Sequence, residues 1–170
     1  MNIRLATEND LETILAMYAH ARQFMCRTGN PNQWGDIHPL QELVEKDIQL
    51  GQSYICEDAG APVGVFAFIV GEDPTYNVIE NGQWLSDAPY GTIHRLASNG
   101  RAKGVAKACF EYCRERIPHL RVDTHEDNKL MQKVVTDFGF QYCGIIYVRD
   151  RSPRLAYEFV GDDKAAYNEN

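Results

Sequence analysis

Six consecutive residues, 101–106, have the composition of a phosphate-binding turn. The run RAKGVA follows a predicted strand and opens a predicted helix. At such a junction free backbone N–H groups meet the positive end of the helix dipole. Gly104 would let the backbone approach a ligand, while Arg101 and Lys103 add positive charge. These features alone leave two interpretations open, since Gly104 and Ala106 could equally serve to let the helix pack near the sheet.

A second segment with chemical potential runs over residues 123–128. Asp123 ends a predicted buried strand, where a charged side chain is costly unless it has a partner. A functional role and a structural salt link both fit that position, and we favour the functional role. Asn128 stands at the start of the next predicted helix, where Asn is well suited to act as the N-cap.

Together these segments resemble the cofactor site of the GNAT superfamily of acyl-CoA-dependent N-acyltransferases. Residues 101–106 match its Arg/Gln-x-x-Gly-x-Gly/Ala signature. Residues 123–140 resemble the strand, Asn-initiated helix and Gly-Phe of the second half of that site. The resemblance is clear over residues 92–148 and extends, with less specific matches, back to Asn2.

The resemblance implies that acetyl-CoA, or another short acyl-CoA, is the co-substrate. In this family two neighbouring strands splay apart, and the pantetheine arm lies in the gap, hydrogen-bonded like an added strand. By that resemblance, the backbone of residues 96–98 and the side chain of Asn128 bind the arm, and the N–H groups of residues 101–106 bind the pyrophosphate. The implied cofactor-binding residues are Leu96, Ala97, Ser98, Arg101, Ala102, Lys103, Gly104, Val105, Ala106, Asn128 and Met131.

Acyl transfer to an amine needs a deprotonated amine and a proton for the departing thiolate. Members of the family often carry a carboxylate five residues before the helix Asn, and here that residue is Asp123. Many members place a Tyr seven residues after the Asn as general acid, whereas this chain has Val135, which cannot donate a proton. Four side chains on or near the cleft strands could replace it: His125, our first choice, and then His94, Tyr142 and Tyr147.

The acceptor side of the site is expected in the early loop, residues 26–39, because the first helices of this family and their connection cover the substrate end of the cleft. Gln33 and Trp34, with Asn30 and Asn32, could hold a small polar amine. Trp34 could instead anchor the loop to the core, and the sequence favours neither role.

Three functions compete on this basis. The leading hypothesis is an N-acetyltransferase that acts on a primary amine of a small molecule or peptide. The alternative is a non-catalytic acyl-CoA-binding or regulatory module, which the apolar Val135 keeps open. A Rossmann-like nucleotide binder is disfavoured because the turn lacks G-x-G-x-x-G and antiparallel pairs dominate the early sheet.

The elements that must position these residues follow from periodicity and turn signals. They predict an α/β (α+β) fold with a mixed, mostly antiparallel sheet of six or seven strands flanked by helices. Strands are predicted at 2–6, 53–57, 62–70, 90–97, 120–124, 140–148 and 154–160, and helices at 8–19, 40–50, 104–117 and 128–138. Residues 1–160 would form one domain and residues 161–170 a polar tail.

Composition bounds the partners and the compartment. A formal charge of −7 and a pI near 5.2 argue against a general nucleic-acid or anionic-membrane surface. With no signal-peptide segment and no long apolar run, we expect a cytoplasmic protein, and a homodimer is compatible with the sequence. The five cysteines lack zinc-ligand spacing, so we expect reduced thiols and no metal.

Overall fold

A seven-stranded mixed sheet forms the centre of the protein. The structure, a computed structural model, describes residues 1–162. The strands are β1 (Asn2–Leu5), β2 (Ser53–Asp58), β3 (Ala61–Val70), β4 (Gly91–Ser98), β5 (His119–Thr124), β6 (Gln141–Tyr147) and β7 (Pro153–Val160), in the order β1-β2-β3-β4-β5-β7-β6. Every neighbouring pair is antiparallel except β4 and β5, which are parallel. The predicted fold class is confirmed.

Four helices cover the two faces of this sheet. They are α1 (Leu11–Arg27), α2 (Gln41–Gln49), α3 (Val105–Arg114) and α4 (Lys129–Phe138). α1 and α2 pack on one face, where Ile14, Val44 and Ile55 are buried together. α3 and α4 pack on the other face, around Phe110 and Val135. Successive strand residues point to opposite faces, so neighbouring residues of β2 and β3 contribute to both cores.

The first helix is longer than the sequence pattern predicts. After a 3₁₀ turn at Glu8–Asp10, α1 continues to Arg27, eight residues beyond the predicted end at 19. Ala21 is buried on the same face as Met17 and Tyr18, and no Gly or Pro occurs before Gly29. The helix therefore continues for as long as it can bury a face and ends before a glycine.

α3 is shorter than the predicted helix, which reached residue 117. It ends at Arg114, although the N–H groups of Arg116 and Ile117 still donate to the Cys113 carbonyl. Pro118 then excludes any further helical turn. The connection from β3 to β4 contains a 3₁₀ turn at Pro74–Tyr76 and a single bridge between Glu80 and Ile145.

Further sequence expectations concern thiols, metals and membranes. All five cysteines are free thiols. Cys56, Cys109, Cys113 and Cys143 are buried, and Cys26 is exposed. Within residues 1–162, no group of three or more His, Cys, Asp or Glu side chains could hold a metal ion. No helix in the same range is long and apolar enough to cross a membrane. Residues 163–170 of the expected tail lie outside the described residues.

Candidate functional site

The parallel strands β4 and β5 pair only at their first residues. Gly91 pairs with Leu120 and Thr92 with Arg121, yet β4 continues to Ser98 and β5 to Thr124. A side chain at Gly91 would collide with the Phe68 ring, since a Cβ there would lie 2.4 Å from it. Beyond this point the facing edges of both strands are unpaired and open to an extended ligand. A cleft of about 890 Å³ lies here, lined by residues of both strands.

β4 bulges where it diverges from β5. A register shift against β3 gives β4 one extra residue, and Arg95 adopts a left-handed φ of 55°, which is unfavourable for a residue with a side chain. The Arg95 guanidinium makes a bidentate pair with Asp47 of α2, with Nε–Oδ2 and Nη2–Oδ1 distances of 2.9 Å. Both side chains are nearly buried, so the pair ties α2 to the bulge.

The predicted phosphate-binding turn lies at the start of α3. Gly104 is the N-cap with a φ of 80°, and no side chain caps the helix, so the N–H groups of its first turn are open to an anion. The side chains of Arg101 and Lys103 are exposed. The Arg101 N–H already donates to Asn99 Oδ1 at 3.1 Å. The first backbone N–H group that is available to a phosphate is therefore that of Ala102.

The remaining predicted cofactor residues differ in their placement. Leu96 and Met131 line the cleft, whereas Ala97 and Val105 are buried, and neither Ser98 nor residues 101–106 are among the lining residues. Ser98 Oγ accepts from the Gly100 N–H at 3.1 Å. β4 and the start of α4 thus contribute to the cleft, and the turn follows β4 along the chain. The ligand roles of all these residues stay predictions.

Asn128 caps α4, as the sequence predicts, and also contacts the early loop. Its Oδ1 accepts from the Met131 N–H at 3.1 Å, which makes it the N-cap of α4. Its Nδ2 donates to Gln33 Oε1 at 2.9 Å, and Gln33 also accepts from Asn30 at 2.8 Å. One amide N–H of Asn128 is left for a ligand. The early loop is therefore hydrogen-bonded to the start of α4.

Trp34 both anchors the early loop and lines the cleft. Its ring contacts Tyr18 of α1 edge-on, with centroids 5.6 Å apart, and the His38 ring at 6.1 Å. It packs against the core under α1 and α2, and it lines the cleft with Gln33 and Asn32. The two interpretations of Trp34 are therefore compatible.

Asp123 faces the cleft and is held by a buried tyrosine. Tyr76 donates its hydroxyl to Asp123 Oδ2 at 2.7 Å. Burial, and then the Asp123 charge, raise the pKa of Tyr76 well above its usual value, so the phenol stays a donor at neutral pH. The second carboxylate oxygen of Asp123 can accept a proton from a bound group.

On the opposite strand, His94 is oriented by Asp73. The His94 Nε2 lies 3.0 Å from Asp73 Oδ2, and both residues line the cleft. Burial raises the pKa of Asp73, but hydrogen bonds from His94 and Thr75 outweigh it and bring the pKa down to about 2. An ionised Asp73 fixes the orientation of the imidazole, as in other carboxylate–histidine pairs.

The structure separates the four candidate proton donors. His94 lines the cleft. His125 is not among the cleft-lining residues, and its Nδ1 accepts from the Asp127 N–H at 3.1 Å. Tyr142 and Tyr147 are exposed and also lie outside the lining, and the Tyr147 hydroxyl donates to Glu80.

Comparison with known proteins identifies the family. An acetyltransferase of the GNAT family from Streptococcus agalactiae superposes with a TM-score of 0.87 and 31% sequence identity, covering 95% of this chain and 96% of that chain. The chain belongs to the GNAT family. A GNAT-family acetyltransferase from Listeria monocytogenes (TM-score 0.67, 21% identity, 92% of each chain) shares the fold. So does yncA from Salmonella typhimurium, solved with its cofactor acetyl-CoA (TM-score 0.61, 16% identity, 97% of this chain and 96% of that chain). No family model and no curated protein matches the sequence.

Val135 of this GNAT protein cannot face the reacting atoms. Its side chain is fully buried, in the core cluster that includes Phe110 and Phe140. A proton donor would have to come from another element, and of the four side chains named from the sequence, His94 is the one that lines the cleft.

Sequence reasoning missed several polar residues of the cleft. Asp73 lies in the stretch 72–89, which contains no recognisable motif. His38 lies in the early loop, but nothing in the sequence separates it from its neighbours, and Arg154 lies outside the segments that resemble the family. Asp73 followed by Pro74 and Thr75 is a 3₁₀-turn signal with Asp as N-cap, but nothing in the sequence shows that the turn faces the cleft.

The lowered pKa of His38 reflects its burial and the positive charges around it in the cleft. Burial, and then the charges of Arg95, Arg154 and Arg22, lower the pKa of His38 from 6.5 to about 4. The imidazole is neutral at pH 7, in surroundings that disfavour a further positive charge.

The lowered pKa of His38 predicts how the free energy of unfolding depends on pH. Between pH 6.5 and 4 the unfolded chain binds a proton at His38 that the folded protein does not, so the free energy of unfolding falls as the pH is lowered through this window. His38→Gln should reduce that slope, because the group that titrates is gone. Urea unfolding of both proteins at several pH values from 7 to 4 measures it. Equal slopes would show that His38 protonates as readily in the folded state.

Proposed function

We propose that the protein is an N-acetyltransferase that transfers the acetyl group of acetyl-CoA to a primary amine of a small molecule or peptide. The observation that carries this proposal is the divergence of β4 and β5 after two paired residues, next to the uncapped start of α3. An unpaired strand edge suits the amide groups of pantetheine, and a free helix N-terminus suits a pyrophosphate.

The residues present fit this co-substrate. A Cβ placed on Gly104 would meet nothing within 4 Å, so the backbone there can be approached closely. The edge of β4 from Ile93 to Ser98 would bind the arm, the N–H groups of residues 102–106 the pyrophosphate, and Asn128 the arm from the other side. When bound, acetyl-CoA would supply an activated acetyl thioester. The groups that bind it and transfer protons would all belong to this chain.

Asp123 is placed to take a proton from the acceptor amine. One carboxylate oxygen is fixed by the Tyr76 hydroxyl at 2.7 Å, and the residue lines the cleft. His94, held by Asp73 at 3.0 Å on the facing strand, is placed to return a proton to the leaving sulfur. Two titratable groups on opposite sides of one gap can thus divide the acid and base roles.

The deciding experiment measures turnover. The protein, acetyl-CoA and a panel of amines and peptides are combined, and release of free CoA thiol is compared with hydrolysis in the absence of amine. Amine-dependent release of thiol, with acetylated amine found by mass spectrometry, supports the proposal. Tight acetyl-CoA binding without turnover on any amine would favour the non-catalytic acyl-CoA-binding module.

A pair of glycines tests the phosphate-binding turn. Gly104 and Gly60 both have a φ of 80°, and at either position an added Cβ would meet nothing within 4 Å, but Gly60 lies in the β2–β3 turn. Alanine should cost each variant a similar stability, about 1–2 kcal/mol, from the left-handed backbone. Gly104→Ala should also weaken acetyl-CoA binding by about tenfold or more, because its methyl group lies where the phosphate approaches. Calorimetric titration of both variants checks this. Similar affinity in the two variants would place the phosphate elsewhere.

A further prediction concerns Asp123. Asp123→Asn keeps an oxygen that can accept from Tyr76, so the shape should persist while the base is lost. Turnover should fall by about 10²-fold or more, and the deficit should shrink as the pH rises, because more of the amine is then already deprotonated.

The control is Asp150→Asn, which alters another carboxylate that lines the cleft. Melting temperatures of both variants accompany the pH–rate profiles. An Asp123→Asn protein that is less stable yet fully active at every pH would make Asp123 a structural residue.

A further inference from the structure

Arg154, near the start of β7, is a buried guanidinium that lines the cleft. It is only 8% exposed, and no carboxylate of residues 1–162 lies within the 4.0 Å ion-pair distance of it. Its contacts are to neutral oxygens: Nη1 donates to Ser152 Oγ at 3.2 Å and to the Pro153 carbonyl at 2.9 Å, and Nη2 donates to the Gln33 carbonyl at 3.2 Å. A buried charge without a counter-ion is costly unless a ligand supplies one.

The free donors of Arg154 lie on one edge of its guanidinium. Arginine has five N–H donors, and three are used in the bonds described. The Nε–H and one N–H of Nη2 have no acceptor among the described residues. These two atoms form the fork that binds a carboxylate through two parallel hydrogen bonds.

Neighbouring acidic groups are already engaged. Asp150 accepts from the Ser152 N–H at 2.9 Å and from the Ser152 hydroxyl, and it lies beyond ion-pair distance of Arg154. Asp47 is paired with Arg95. Arg154 is therefore the buried cation of the cleft that is left to pair with a ligand, among the residues that the structure describes.

Arg154 and Asp123 project from the same face of the sheet. Asp123 pairs with Ala156 across β5 and β7, and Arg154 is two residues from Ala156, so side-chain alternation puts all three on one side. Diagonal neighbours of this kind have Cα atoms roughly 7–8 Å apart. A molecule of amino-acid size can span the distance between the two side chains.

We propose that the acceptor carries a carboxylate near its amine, as a free amino acid does, and that Arg154 binds this carboxylate. The inference rests on the proposed function, since it concerns the acceptor of the same reaction. Arg154 fixes the carboxylate at the start of β7, and the amine then lies towards Asp123. Gln33 adds precision, because its carbonyl holds the Arg154 Nη2 group while its side chain holds Asn128.

The experiment compares amines whose carboxyl group is either free or converted to an amide. Free amino acids and their C-terminal amides are assayed in pairs with acetyl-CoA, and kcat/KM is measured for each member. The amide has the less basic amine, so a preference for the acid cannot come from easier deprotonation. The protein should prefer the acid by about 10- to 100-fold. In Arg154→Met this ratio should fall to near one.

Two further variants separate charge, geometry and folding. Arg154→Lys keeps the charge without the fork and should retain an intermediate ratio, and it carries the comparison if Arg154→Met fails to fold. Arg149→Met removes a cation that also lines the cleft but is exposed, and it should keep the ratio of the parent.

Several outcomes would overturn the inference. The inference is wrong if the parent protein acetylates acids and amides equally well, or if Arg154→Met keeps the preference for acids. Either result leaves the proposed function intact. A weaker affinity for acetyl-CoA in Arg154→Met, with an unchanged ratio, would assign Arg154 to the co-substrate. If no amine is acetylated, the proposed function fails, and calorimetric titration with the N-acetylated forms of the same pairs decides the inference: equal binding of acid and amide by the parent rejects it.

Discussion

The divergence of two parallel strands is the constraint on which the rest of this structure depends. β4 and β5 start side by side because Gly91 leaves room for the Phe68 ring. Their pairing ends at Thr92, and the extra residue that β4 gains at Arg95 bends the strand within the unpaired stretch. The strained backbone of Arg95 is held by its buried pair with Asp47. An ion pair that contributes little to stability by itself thus acts by fixing a geometry.

That geometry places each chemical group by its element. The uncapped N-terminus of α3 follows the end of β4 along the chain. His94 and Asp123, on the two strands that border the gap, project from the same face of the sheet. His94 and Asp123 each have a fixed partner from the single turn at Pro74–Tyr76 and its N-cap. Both sides of the reaction are therefore oriented by one short connection, which limits how far the two groups can move relative to each other.

The acceptor end is organised by a second network. Gln33 receives hydrogen bonds from Asn30 and Asn128 and gives its carbonyl to Arg154. The loop between α1 and α2 is thereby joined to α4 and β7, on the far side of the cleft. A co-substrate bound at Asn128 and an acceptor bound at Arg154 would each contact a side chain that is hydrogen-bonded to Gln33. Binding of one ligand would thus restrict the motion of residues that bind the other.

The elements, the family resemblance and the turn at residues 101–106 could be predicted from the sequence, because they depend on local patterns: periodicity, caps and a glycine between a strand and a helix. Helix ends were predicted less well, since α1 continues to Arg27 for the sake of tertiary packing. Which polar groups line the cleft depends on the tertiary structure. Local sequence marks Asp73 as the cap of a turn but not as a cleft residue, and Arg154 carries no local signal. His125, which stood next to a motif, lies outside the lining. The physical reason is that a side chain's chemistry depends on which strands become neighbours, and that is set by long-range burial rather than by the residues beside it.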